Sequence, residues 1–186
     1  MIAVLVIDMQ NAFFEDPVMR ESQEDLVRAC NFLISAAEAS GSPVLFIKTE
    51  HERDKSTWSL NMLDDDQGFI FRGSEQAELV PGLDEGCFPQ LTKTRDSAFL
   101  GTDLLFRLRN LQVDTLVLAG ISAHNCVAQT AADAFANNFR VIYASDAIGT
   151  EDAGSAEAVL SILQREYRQR SHSVAEIADL LSAKVP

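Results

Sequence analysis

Three side chains in this sequence could act together on a carbonyl compound: the thiol of Cys126, the carboxylate of Asp8 and the ammonium of Lys93. A thiol becomes a nucleophile when a neighbouring base takes its proton or a neighbouring cation favours its thiolate. Cys126 follows the apolar run Asp114 to Ala119 and Gly120, and from Cys126 to Ala136 an alanine-rich amphipathic pattern begins. This spacing predicts a strand, a tight connection and a helix whose first turn carries the cysteine. Unpaired amide N–H groups and the positive end of the helix dipole would favour a thiolate there and donate to an oxyanion formed beside the sulfur. Each residue alone has an ordinary explanation as well: a buried apolar cysteine, a turn-capping aspartate, a surface lysine.

The elements that must position the three follow from hydrophobic patterning. Ile2 to Ile7 is a near-continuous Val/Ile/Leu run, as in a strand buried on both faces of a parallel sheet, and Asp8 stands at its carboxyl end. A helix is expected from Ser22, where S-x-x-D resembles a capping box, to Gly41, followed by a strand from Val44 to Lys48. A short strand from Gln90 to Thr92 brings Lys93 to its end, and Thr102 to Asn110 is expected to be a helix. The strand at Asp114 to Ala119 precedes the cysteine, and Phe139 to Ala144 is the next strand, with Ser145 and Asp146 past its end. A helix from Glu151 to Tyr167, a short strand near Val174 and a closing helix from Ala175 to Ala183 complete the chain. Strands alternating with helices imply βαβ units and a mostly parallel sheet covered on both faces, whose ligands bind at the carboxyl ends of the strands. Asp8, Lys93 and Cys126 all fall at such ends, on three different strands, and this convergence favours the catalytic reading over the ordinary ones.

Residues 49 to 88 show no clear period, and forty such residues in a compact domain point to a functional flap or an interface. Trp58, Phe69, Ile70 and Phe71 give the segment more apolar surface than a free flap tolerates, so self-association into a dimer or tetramer is expected.

Composition narrows the partners. A net charge of −13 disfavours nucleic acid or an anionic membrane as the main partner, and no basic patch offsets it. The start, MIAVLVID, is too short an apolar run for a signal peptide and reads as a strand. Cysteines at 30, 87 and 126, with no C-x-x-C pair, indicate neither a disulfide framework nor a zinc knuckle, so the cytoplasm is the default location. One domain, 1–186, and a small-molecule substrate are expected.

The segments V-I-D-M-Q-N-A-F around Asp8, T-K-T-R-D-S-A-F-L-G-T-D-L around Lys93 and A-G-I-S-A-H-N-C-V-A-Q-T-A-A-D-A around Cys126 resemble, in order and spacing, those of the isochorismatase-like cysteine hydrolases. The resemblance implies an α/β fold, a three-layer α/β/α sandwich around a six-stranded parallel sheet. It also implies an Asp8, Lys93 and Cys126 triad, a homo-oligomer, and a cis peptide between Ile121 and Ser122 that aims the Ser122 and Cys126 amides at one point. Nicotinamidases of this family bind a metal through D-x-H and a further histidine. Here the aspartate position is Thr49 and the second histidine is missing, so His51 is expected to be a surface residue, and neither metal nor other cofactor is expected. Isochorismatases proper cleave a vinyl ether and lack the nucleophilic cysteine, so Cys126 favours hydrolysis of a C–N bond in a small amide, ureide or carbamoyl compound. Phe13, Trp58, Phe99 and Asn125 are the candidate pocket residues. The alternatives are a vinyl ether hydrolase and a non-catalytic, thiol-bearing binding module.

Overall fold

A computed structural model describes residues 1–183. Six strands form one parallel sheet: β1 (Ile2–Ile7), β2 (Val44–Thr49), β3 (Gln90–Lys93), β4 (Thr115–Gly120), β5 (Arg140–Ile148) and β6 (Arg170–His172), in the order β3-β2-β1-β4-β5-β6. The chain runs from β1 outward to β3 and then returns to add β4 on the other side of β1. The reversal leaves a crevice between the carboxyl ends of β1 and β4, where ligands bind in sheets of this kind.

Alternation along each strand divides the core in two. Val4 and Val6 of β1 face one layer of helices, α1 (Pro17–Ala39) and α6 (Val174–Ser182), while Ala3, Leu5 and Ile7 face the other. That second layer is built from α3 (Leu104–Asn110), α4 (Ala128–Ala136) and α5 (Ala153–Tyr167). All six residues of β1 and all six of β4 are buried, which explains why both read as unbroken apolar runs. Among the described residues no helix is long and apolar enough to cross a membrane.

Several boundaries differ from the sequence reading for identifiable reasons. Helix α1 starts at Pro17 and not after Ser22: Asp16 caps it by accepting from the Val18 and Met19 amides, and a proline in the first helical position is preorganised for that role. Ser22 lies inside the helix and donates to the Met19 carbonyl instead. Strand β5 extends to Ile148, where it pairs with Gly120 after a register shift, so Ser145 and Asp146 belong to it. Val174 is not in a strand; β6 ends at His172, and a capping box between Ser173 and Glu176 starts α6 at Val174. Residues 49 to 88 contain a short helix, α2 (Leu60–Asp64), and a 3-10 turn at Glu75–Ala77.

This segment also buries much of its own apolar surface. Trp58 and Ile70 are buried, Phe71 is half-buried beside Trp58, and of the four aromatic or aliphatic residues named above only Phe69 is exposed. Gly68 permits the packing, because a Cβ there would come within 2.3 Å of the Trp58 ring.

Candidate active site

The site begins with backbone geometry at the ends of β1 and β4. Gly120 has φ 109°, and a Cβ on it would lie 1.9 Å from the Ile7 carbonyl oxygen, so only glycine lets β4 finish against β1 at this point. Next to it Asp8 adopts φ 52°, an uncommon left-handed conformation for a residue with a side chain. Its amide donates to the Ile47 carbonyl, and its carbonyl accepts from Gln10. The conformation sends the side chain into the protein, where Asp8 is fully buried and caps no helix. A strained residue kept in this position is a reasonable marker of function.

Lys93, the last residue of β3, meets that carboxylate. Its Nζ lies 2.7 Å from Asp8 Oδ2, and neither side chain has any exposed surface. Thr49, at the end of the intervening strand β2, joins the two: Lys93 Nζ donates to Thr49 Oγ1 at 2.6 Å, and Thr49 Oγ1 donates to Asp8 Oδ1 at 2.9 Å. Lys93 Nζ also lies 3.3 Å from Cys126 Sγ. Asp8 Oδ2 contacts Lys93 as an ion pair and has no other hydrogen-bond partner among the described residues. Beneath the cluster, buried Gln10 fixes the end of β2 by accepting from the Thr49 amide and donating to the Thr49 and Ala77 carbonyls.

Cys126 does not open a regular α-helix. It is the fourth residue of a single π-helical turn, Ala123–Val127, that precedes α4; such turns recur at functional sites. The Ile121–Ser122 peptide just before it is cis. The Asn125 and Val127 amides both donate to the Ser122 carbonyl, whereas the Ser122 N–H has no partner among the described residues. The Ser122 hydroxyl donates to Glu151 at 2.6 Å, tying this turn to the loop after β5.

Electrostatics correct one expectation. Burial pushes the Cys126 thiol well above its ordinary pKa, and the Asp8 carboxylate adds to the shift; Lys93 opposes it without overcoming it. The resting group is therefore a thiol, because at this depth desolvation outweighs the attraction of Lys93. For Lys93, burial disfavours the charged form, but attraction to Asp8 and then to Cys126 outweighs it, and the net shift is upward. Lys93 is an ammonium throughout the neutral range.

The other candidates are distributed unevenly. Trp58 is buried and donates from its indole to the Glu52 carbonyl. Phe13 is half-buried in a 3-10 turn, Asn11–Phe14, shortly after Asp8, and Asn125 is exposed beside Cys126. Phe99 packs 6.0 Å from Phe139, a residue at the amino edge of the sheet. Sequence reasoning missed Thr49, Gln10 and Asp96; Asp96 Oδ1 lies 4.0 Å from Cys126 Sγ. The signal for Thr49 was its place at the end of β2, but that becomes useful only once the strand order puts β2 between β1 and β3.

His51 is not a surface residue. It is 4% exposed, because its backbone bridges to Phe71 and its ring lies against Phe69. Burial lowers its pKa, a hydrogen bond to the Thr57 carbonyl opposes the shift, and the nearby cations Arg95 and Lys93 reinforce it. These residues do not fit a metal: the Thr49 hydroxyl is committed to Asp8 and Lys93, and His51, with Nδ1 on Thr57 and Nε2 left over, would be a lone ligand. Among the described residues no three His, Cys, Asp or Glu side chains form a ligand set. A cavity of about 830 Å³ lies at the opposite edge of the sheet, lined by Ile2, Thr115, Arg140 and Arg170 among others, and its lining includes neither a cysteine nor a carboxylate.

Known proteins share this arrangement of chain. The isochorismatase domain family matches residues 2–179. A “Probable inactive nicotinamidase” of Arabidopsis thaliana is 34% identical over 145 residues, 74% of each chain. The N-carbamoylsarcosine amidase of an Arthrobacter species is 28% identical over 194 residues, covering 96% of this chain and 72% of its own. The crystal structure of an isochorismatase family protein from Desulfovibrio vulgaris superposes with a TM-score of 0.85 at 31% identity, covering 97% of this chain and 98% of the other. With the family matched over residues 2–179 and the whole fold superposing on that of a solved family protein, the chain belongs to the isochorismatase family.

Proposed function

We propose that this protein hydrolyses a C–N bond in a small amide, ureide or carbamoyl compound through a thioester on Cys126. The observation that carries the reading is the buried contact of Asp8, Lys93 and Cys126, from three strand ends, at the crevice where the sheet reverses. Two relatives named for amide hydrolysis support this bond type.

The thiol is protonated at rest, so attack and deprotonation are coupled. As Cys126 Sγ bonds to the substrate carbonyl carbon, its proton passes to Asp8, whose Oδ2 has no partner other than Lys93 among the described residues. The carbonyl oxygen gains the charge and accepts from the amides of the cis-peptide turn, Ser122 and Cys126. Asp8 then returns the proton to the departing nitrogen, the C–N bond breaks, and a thioester remains. Water attacks the thioester with Asp8 again taking a proton, the C–S bond breaks, and the proton returns to sulfur. Lys93 stays charged and holds the Asp8 carboxylate in place while the negative charge moves. Positioned acid–base catalysis of this kind contributes about 10² to 10⁴ in rate.

The test is a panel of small amides, ureides and carbamoyl compounds assayed for ammonia, with intact mass spectrometry of the quenched enzyme. Ammonia release together with an acyl adduct on Cys126 is expected. Ammonia release without that adduct would remove the thioester on Cys126, and neither product across the panel would leave the thiol-bearing binding module as the better account. Self-association belongs to the same proposal: Leu60, Leu63 and Phe69 are exposed on the segment beside the site, and light scattering should give at least a dimeric mass.

A further inference from the structure

The thiol has three charged side chains beside it, and of these one is exposed. Asp8 and Lys93 are buried, whereas Asp96 faces solvent with its Oδ1 4.0 Å from Cys126 Sγ. The other carboxylate oxygen of Asp96 accepts from Gln129 Nε2 at 2.7 Å, and Gln129 stands on the first turn of α4, next to the cysteine. The carboxylate is thus held toward the sulfur, and an electrophile arriving from solvent passes beside it.

Among the described residues no ion pair cancels this charge. Lys93 is paired with Asp8, and the Arg95 guanidinium is turned to the Thr57 and Trp58 carbonyls of the segment across the site. We propose that Asp96 is a specificity-determining residue that admits neutral or cationic substrates to Cys126 and rejects those carrying a carboxylate next to the scissile carbonyl. An N–H on the accepted substrate donates to Oδ1, while a substrate carboxylate at the same place meets a fixed like charge a few ångströms away. As a statement about substrates this rests on the hydrolase reading. The selection itself acts on any electrophile that reaches the thiol, which allows it to be tested without turnover.

The test uses two methanethiosulfonates that differ in charge, a cationic trimethylammonium-ethyl reagent and an anionic sulfonatoethyl reagent, at low ionic strength so that the local field is not screened. Peptide mapping gives the cation-to-anion rate ratio at Cys126 and, in the same molecules, at exposed Cys87, which reports the pull of the −13 chain as a whole. The ratio at Cys126 should exceed that at Cys87 by about tenfold or more. Asp96→Asn should bring the two within about threefold, and Gln129→Ala, which frees the carboxylate, should give an intermediate value. Equal ratios at the two thiols in the wild type, or a Cys126 ratio unchanged in folded Asp96→Asn, would overturn the proposal. A raised ratio without ammonia from any amide would remove the hydrolase reading and leave the selection standing. Ammonia release with equal ratios would do the reverse.

Discussion

Cys30 and Cys126 are both buried free thiols, but they face opposite helical layers of the same sheet and have different neighbours. Cys30, on α1, is surrounded by aliphatic side chains, and its sulfur lies 3.8 Å from the Ala147 carbonyl oxygen; burial alone pushes its pKa to about 12. Cys126 is also pushed up by burial, yet it stands beside an ammonium and a carboxylate. Neither thiol is ionised at rest near neutral pH. What separates them is that Cys126 stands beside the paired Asp8 carboxylate and Lys93 ammonium, whereas Cys30 has neither. In the proposed reaction, reactivity comes from a prepared route for the proton and not from a standing thiolate.

The largest effect should come from exchanging the two cysteines in turn. Cys126→Ala should lower turnover about 10⁴-fold or more, as loss of a covalent nucleophile does, while Cys30→Ala should leave kcat within about twofold. A comparable loss in both variants would dissolve the comparison. Next, Lys93→Met should strand the Asp8 carboxylate in the core. Breaking a buried pair in this way costs about 3–5 kcal/mol, so urea unfolding should show a loss of that size, and a loss below about 1 kcal/mol would mean the pair is not buried as described.

Alkaline titration sharpens the same contrast. A thiol whose folded pKa is raised remains protonated while the unfolded chain, with an ordinary value of 9.0, releases its proton, so stability must fall as pH rises above that value. The raised pKa of Lys93 has the opposite history: its contribution is complete below the ordinary lysine value of 10.5 and is lost only above it. Between pH 8 and 10 Cys30 therefore costs about 1.4 kcal/mol of stability, and Cys126 acts in the same direction. Cys30→Ala should remove about one such share from the pH dependence of unfolding, and an unchanged slope would contradict the burial argument. The smallest effect belongs to chelation: since the Thr49 hydroxyl is committed to Asp8 and Lys93 and no ligand set of His, Cys, Asp or Glu forms among the described residues, overnight EDTA should leave the rate within about twofold.

The sequence made the meeting of Asp8, Lys93 and Cys126 legible because each is tied to the end of an apolar run, and a parallel sheet gathers such ends at one edge. Thr49 was not legible in that way. Its role depends on β2 lying between β1 and β3, which no local pattern encodes. The same is true of His51, buried by a bridge to Phe71 twenty residues on, and of the thiol's protonation, which depends first on depth. The π turn before α4 and the extension of β5 to Ile148 likewise arise from tertiary pairing at Gly120 and Ser122.

The central claim is that Asp8 moves the proton between Cys126 and the leaving group, and Asp8→Asn tests it most directly. The buried pair means this substitution strands Lys93 and should lower the melting temperature, so kcat is to be compared at 25 °C with folding checked by near-UV circular dichroism, alongside the charge-neutral Asp8→Asn/Lys93→Met double variant. On the best substrate from the amide panel, both folded variants should lose at least about 10²-fold in kcat, the size of a lost acid–base group. Turnover within about threefold of the wild type in either folded variant would contradict the account.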